Sequence, residues 1–170
     1  MEHFLVLINF ENDPNKRKNK ILQSKISNHF INLILKKGNK TDLSLSKKEN
    51  GKPFFKKNNI EDENNFLSIS HSKDVVALLF SFNNEEKLKL GVDIEEIKKR
   101  DYRKILEYFK LKTNSISEIE FYQVWTKFEA AFKTGTEKKD YKNLNYLSFK
   151  YKNYVLSCAS SKTINPRIYE

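Results

Sequence analysis

The stretch Gly91-Val92-Asp93-Ile94-Glu95 decides how this chain is read. It closes a run from Leu88 to Ile94 with the character of a strand. Side chains at i and i+2 of a strand share a side, so Asp93 and Glu95 face one way while Val92 and Ile94 face the other. A second stretch, Trp125-Thr-Lys-Phe-Glu-Ala-Ala-Phe-Lys133, reads as a helix with Glu129 and Lys133 one turn apart. If that helix lies beside the strand, three carboxylates and an ammonium converge. Two carboxylates ~4 Å apart repel by about 4 kcal/mol at an effective dielectric of ~20. Three together need a cation, and an all-oxygen donor set favours Mg²⁺ over zinc. Mg²⁺ held by a few carboxylates fills its shell with water and substrate phosphates, so these residues point to chemistry on a phosphate or pyrophosphate.

Working outward, Phe4 to Phe10 predicts a strand, broken by Asp13-Pro14-Asn15. Lys16 to Lys37 predicts a helix with Ile21, Lys25, Ile26, Phe30, Leu33, Ile34 and Lys37 at a period of about 3.6, ended by Gly38-Asn39. Residues 40–65 are polar, turn-rich and heavy in lysine and asparagine, with no element assigned. Phe66–Ser70 and Val75–Phe82 read as strands, and Asn83-Asn-Glu-Glu86 as a turn into the carboxylate strand. Helices are expected near Tyr102–Phe109 and from Ser117 to Lys133, then a hairpin of Tyr146–Tyr151 and Tyr154–Ala159 joined near Lys152-Asn153. This order predicts an α+β fold of two halves, 1–90 and 91–170, forming one compact unit. In the long helix, Phe121, Trp125, Phe128 and Phe132 make an apolar stripe expected to face the core. Glu129 lies ~80–100° from the stripe centre, at the edge of the buried face, and Lys127 points to solvent.

The 170 residues suffice for a real core, and 38% hydrophobic with 13% aromatic content excludes a disordered chain. The one cysteine, Cys158, has no internal disulfide partner and sits in an alternating apolar segment, as a buried thiol would. No run of ~20 apolar residues is present to span a membrane. The N-terminal residues read as a strand and not a signal peptide, so a cytoplasmic protein is expected. Lys and Arg total 32 against 22 Asp and Glu, a net charge of +10. That favours an acidic partner without choosing among nucleic acid, anionic lipid, acidic protein or phosphorylated small molecule.

Four segments in order carry a family resemblance: Gly51-Lys52-Pro53, Ser68-Ile69-Ser70-His71-Ser72, Gly91 to Glu95, and Trp125 through Glu129 to Lys133. Together they resemble the 4′-phosphopantetheinyl transferases, in the larger two-lobed monomeric (Sfp-type) branch. The resemblance implies two similar α+β halves, a pseudo-dimer, with the active site between them. It implies Mg²⁺-dependent transfer of 4′-phosphopantetheine from coenzyme A to a serine of an acyl or peptidyl carrier protein, releasing adenosine 3′,5′-bisphosphate. By the same resemblance Asp93, Glu95 and Glu129 would hold the metal, and Glu129 or a water beside it would take the serine proton. Lys133 would neutralise pyrophosphate charge; Ser70, His71 and Lys52 would contact coenzyme A. Lys16, Arg17, Lys18 and Lys20 are candidates for its 3′-phosphate. The expected partner is an acidic carrier, with no nucleic acid and no membrane, and the expected state is a monomer. The carrier's pathway, whether fatty acid, polyketide or nonribosomal peptide, is left open. Two positions depart from the family pattern: Phe128 stands where lysine is usual, and Ser68 where asparagine is frequent. Phe128 motivates a second reading, a catalytically weakened relative that binds coenzyme A or a carrier. A nucleic-acid module would instead gather the basic residues in one groove.

Overall fold

In the computed structural model, which describes residues 2–83, 87–99, 101–108 and 116–170, two β-layers meet edge to edge over a shared core. β1 (Glu2–Asn9) sends Leu5 and Leu7 into one core and Phe4, Val6 and Ile8 into another. β6 (Val75–Phe82) does the same with Val75, Ala77 and Leu79 against Val76, Leu78 and Phe80. A period of two with apolar residues on both sides makes strands buried on both faces. The two pair antiparallel, from Glu2 opposite Phe82 to Asn9 opposite Val75. β5 (Phe66–Ser72) forms one edge of this sheet, and β10 (Arg167–Tyr169) runs parallel to β1 at the other.

α1 (Lys16–Lys37) covers the second core, capped by the Asn15 side chain, which accepts from the Arg17 and Lys18 N–H groups. Its bounds match expectation, and Ile26, Phe30 and Ile34 of the expected stripe pack against that core, but the most buried positions lie beside the stripe. Gln23, Ser27, Ile31 and Leu35 are buried, while Ile21 is 50% exposed. The polar pair is tolerated inside because the Gln23 amide donates to the Lys73 carbonyl and the Ser27 hydroxyl donates to the Gln23 carbonyl. Residues 40–65 also differ from the sequence reading. They form a small sheet of β2 (Leu43–Lys47), β3 (Pro53–Lys57) and β4 (Ile60–Glu61). Only Leu43, Leu45 and Phe55 point inward from it, so its alternation is faint among lysines and asparagines.

The other layer has the order β7 (Leu90–Glu96), β9 (Tyr154–Ser160), β8 (Asn145–Tyr151). Val92 and Ile94 join Leu156 and Cys158 in the core shared with β1 and β6. α2 (Arg103–Tyr108) and α3 (Glu118–Lys133) lie across this sheet from that core. A capping box between Ser117 and Glu120 starts α3. The expected turn beyond Asn83 and the end of the helix at Phe109 fall outside the described residues.

β5 and β7 are edge strands lying side by side. Serine hydroxyls, rather than main-chain carbonyls, join them. Ser68, Ser70 and Ser72 share one side of β5 and accept the N–H groups of Val92 (3.0 Å), Ile94 (3.3 Å) and Glu96 (3.0 Å). This satisfies an otherwise unpaired strand edge and sets the carboxylate strand at a fixed height against β5.

Candidate active site

Small residues let α3 settle onto β7. A Cβ at Gly91 would stand 1.9 Å from the Ala130 carbonyl oxygen, so only glycine fits there. The buried positions of α3 are Phe121, Tyr122, Thr126, Ala130 and Ala131. Of the aromatic stripe expected to face the core, Phe121 is buried and Trp125 packs against the same cluster, whereas Phe132 is 64% exposed. At Gly91 the contact with the sheet is made through small side chains, which allow the closer approach, while Phe121 and Tyr122 pack with Val155 of β9. The Thr126 hydroxyl meets Ser157 Oγ at 2.7 Å, pinning the helix to β9 opposite Asp93.

This packing brings Lys133 onto Asp93. Lys133 Nζ donates to Asp93 Oδ1 at 2.7 Å, to Ser70 Oγ at 2.9 Å and to the Val92 carbonyl at 3.0 Å. All three ammonium protons are thereby used. Ser70 Oγ donates to Asp93 Oδ1 at 2.9 Å while accepting from Lys133 and the Ile94 N–H. Asp93 is 6% exposed, and its Oδ2 is buried with no hydrogen-bond partner among the described residues. A buried carboxylate oxygen in that condition is short of a ligand.

Glu129 sits one turn before Lys133 and is half-buried. Burial raises its pKa above the ordinary carboxylate range, and repulsion from Asp93 adds to this while Lys133 opposes it. Glu95, the third carboxylate of the expected set, is half-buried two residues beyond Asp93 on the same strand. Among the described residues no group of three or more His, Cys, Asp or Glu stands together as a metal site. The donors suit a hard cation in kind, being oxygens, and Asp93 Oδ2 is an open ligand. On Oδ1 the Lys133 ammonium supplies the positive charge.

A cleft of about 500 Å³ opens beside Lys133, lined by Gly51, Lys52, Pro53, Ile69 and Phe132 among others. Lys52 Nζ donates to the Thr134 carbonyl at the end of α3, 3.1 Å away. Burial lowers the Lys52 pKa, and repulsion from Lys48 contributes. An adjoining hollow of about 170 Å³ takes His71, Ile69 and Ser27. His71 keeps accessible ring surface there, yet partial enclosure lowers its pKa, with Lys133 and Lys20 pushing the same way. Arg17 and Lys20 line a third hollow along α1. Ser70, Asp93 and Lys133 are thus in direct contact, Glu129 is coupled to them by charge, and Lys52 and His71 border the adjoining clefts.

Phe128 packs against Trp125 and Tyr141, with the Lys138 ammonium 5.4 Å from its ring centroid. Lys127 is exposed, as expected. Three contributors went unseen in the sequence: Phe132 as a cleft wall, the Thr126–Ser157 clamp, and the Thr134 carbonyl that anchors Lys52. One signal for the close helix–strand approach was present in Gly91 and the Ala130-Ala131 pair.

No family model matches the chain. It is 33% identical over 113 residues to a protein of Haemophilus influenzae named "Putative 4'-phosphopantetheinyl transferase". The match covers 59% of this chain and 45% of that protein, so the chain spans about half the length of the relative. The similarity supports the resemblance drawn from the sequence at the level of the superfamily. No helix among the described residues is long and apolar enough to cross a membrane.

Proposed function

We propose that this chain is a 4′-phosphopantetheinyl transferase of the two-lobed, monomeric, cytoplasmic kind. It would move 4′-phosphopantetheine from coenzyme A to a serine of an acidic acyl or peptidyl carrier protein. The single observation that carries this reading is the Ser70–Asp93–Lys133 contact, with a buried, unpartnered Asp93 Oδ2 beside a charge-coupled Glu129. The site lies along the seam of β5 and β7, with Ser70 on one strand, Asp93 on the other, and Lys133 reaching both from α3.

In the reaction the carrier serine oxygen forms a bond to the phosphorus nearer the pantetheine. The bond from that phosphorus to the bridging oxygen breaks, and adenosine 3′,5′-bisphosphate leaves. Glu129 accepts the serine proton; burial and Asp93 raise its basicity, which favours this role. A positioned base contributes a factor of ~10²–10⁴ in rate. Lys133 balances charge growing on the pyrophosphate oxygens. Ser70 holds Lys133 and Asp93 in register, while Lys52 and His71 contact coenzyme A phosphates. Asp93, Glu95 and Glu129 would hold Mg²⁺, which when bound supplies neutralisation of the pyrophosphate charge.

The test is direct. Purified protein with coenzyme A, Mg²⁺ and an apo-carrier should yield a carrier heavier by one phosphopantetheine in intact-mass analysis. Absence of the shift with acidic carriers of every class overturns the reading. Phe128, walled in by Trp125 and Tyr141, favours one alternative, a weakened relative. That alternative predicts coenzyme A binding by calorimetry without transfer, and recovery of turnover in Phe128→Lys.

A further inference from the structure

A second cavity, of about 340 Å³, adjoins the cleft beside Lys133 and shares Asn50, Lys52, Pro53, Leu67 and Gly135 with it. The small sheet walls it with Lys48 and Phe54, the lead-in to β7 with Lys87 and Lys89, and the end of α3 with Gly135. Among the described residues four ammonium groups border it, Lys48, Lys52, Lys87 and Lys89, against two carboxylates, Glu61 and Asp62. That leaves a surplus of two positive charges. Glu61 is committed to Lys48 at 2.7 Å. One oxygen of Asp62 is committed to the Asn64 and Asn65 backbone amides and the Asn65 side chain. Lys87 and Lys89 are exposed and make no ion pair among the described residues. Lys48 and Lys89 both repel the half-enclosed Lys52 ammonium.

We infer that this cavity binds a phosphate dianion, as inorganic phosphate or a phosphomonoester. Such a group carries on the order of −1.5 to −2 charge at neutral pH, which matches the surplus. Its three oxygens accept from several ammonium donors at once. The Phe54 ring and Pro53 supply an apolar wall for the organic part of an ester. Binding would tie the small sheet, the β7 lead-in and the end of α3 together through one ligand. Because Lys52 also borders the catalytic cleft, a ligand here would share that ammonium with the cleft. The inference rests on the cavity's own lining and not on transfer chemistry, while Lys52 is shared with the cleft assigned to coenzyme A.

The test is a titration of the full chain with inorganic phosphate at low ionic strength, followed by amide and lysine NMR. Saturable shifts are expected at Lys87, Lys89, Asn65 and Gly135. The double variant Lys87→Ala/Lys89→Ala, changed only at exposed positions, should weaken that binding tenfold or more with an unchanged circular dichroism spectrum. Arg17→Ala, in the separate basic hollow on α1, should leave it unaltered. Shifts that do not saturate, that persist at equal affinity in the double variant, or that appear only around α1 overturn the inference.

Discussion

Gly91 lies flush against Ala130, close enough that a single added carbon would overlap the helix carbonyl at 1.9 Å. The contact is backbone on backbone, so no side chain can turn aside to relieve it. Forcing extra carbon into a packed core costs about 1–3 kcal/mol where neighbours yield. Gly91→Ala should reach at least the top of that range, read from urea unfolding. It should also lift α3 and draw Lys133 off Asp93, so transfer falls with stability. A variant within about 0.5 kcal/mol of wild type, a typical neutral surface change, would refute the packing account.

The raised pKa of Glu129 has a consequence for stability. A carboxyl that is harder to ionise in the folded state stabilises the fold while protonated and loses that benefit as pH rises through its folded pKa. At neutral pH the ionised Glu129 is therefore a cost. Glu129→Gln should raise the melting temperature at pH 7, and the gain should vanish below about pH 4, where the ordinary carboxyl is also protonated. Transfer should be lost in the same variant. A gain of equal size at every pH would assign it to packing instead of charge.

Removing Lys133 leaves Asp93 buried with, among the described residues, only the Ser70 hydroxyl donating to its carboxylate. Stranding one partner of a buried ion pair costs about 3–5 kcal/mol. Lys133 is 29% exposed, so water recovers part of this and the low end applies. Lys133→Ala should be markedly destabilising, and Asp93→Asn in the same chain should restore part of the loss without restoring transfer. A double-mutant cycle measures the coupling. A coupling under about 0.5 kcal/mol would mean that the two residues meet in geometry but not in energy.

Much of this site was legible because its parts obey local periods. Asp93 and Glu95 follow the two-residue alternation of a strand, with Val92 and Ile94 in the shared core as expected. Glu129 and Lys133 follow the helical turn. The outer limits of α1 were equally plain, since Asn15 and Gly38 bracket it. What stayed hidden depended on neighbours distant in sequence. The face that α1 buries rests on Gln23 finding the Lys73 carbonyl, which no helical period reveals. Phe132 looked like core because its spacing matched Phe121 and Trp125, yet near the backbone contact at Gly91 α3 turns Ala130 and Ala131 inward instead. The small sheet in residues 40–65 offers few inward residues, and β10 is a three-residue exposed strand. The joining of the two layers by serines needs both strands in place before it has any meaning.

That serine join yields an ordered series. Each hydroxyl satisfies one β7 amide, and a buried unpaired amide costs about 1–3 kcal/mol. Ser68 and Ser70 are buried, whereas Ser72 is partly open to water, which can replace its hydroxyl. Ser70 additionally serves Asp93 and Lys133. Alanine substitutions should therefore destabilise in the order 70, then 68, then 72, by denaturant unfolding. Transfer should fall steeply for Ser70→Ala and stay within a few-fold for Ser72→Ala. Threonine at 72 keeps an acceptor and should recover most of the small loss there. Equal destabilisation at all three positions would mean that the layers are held by the apolar core beneath them, with the hydroxyls contributing nothing specific.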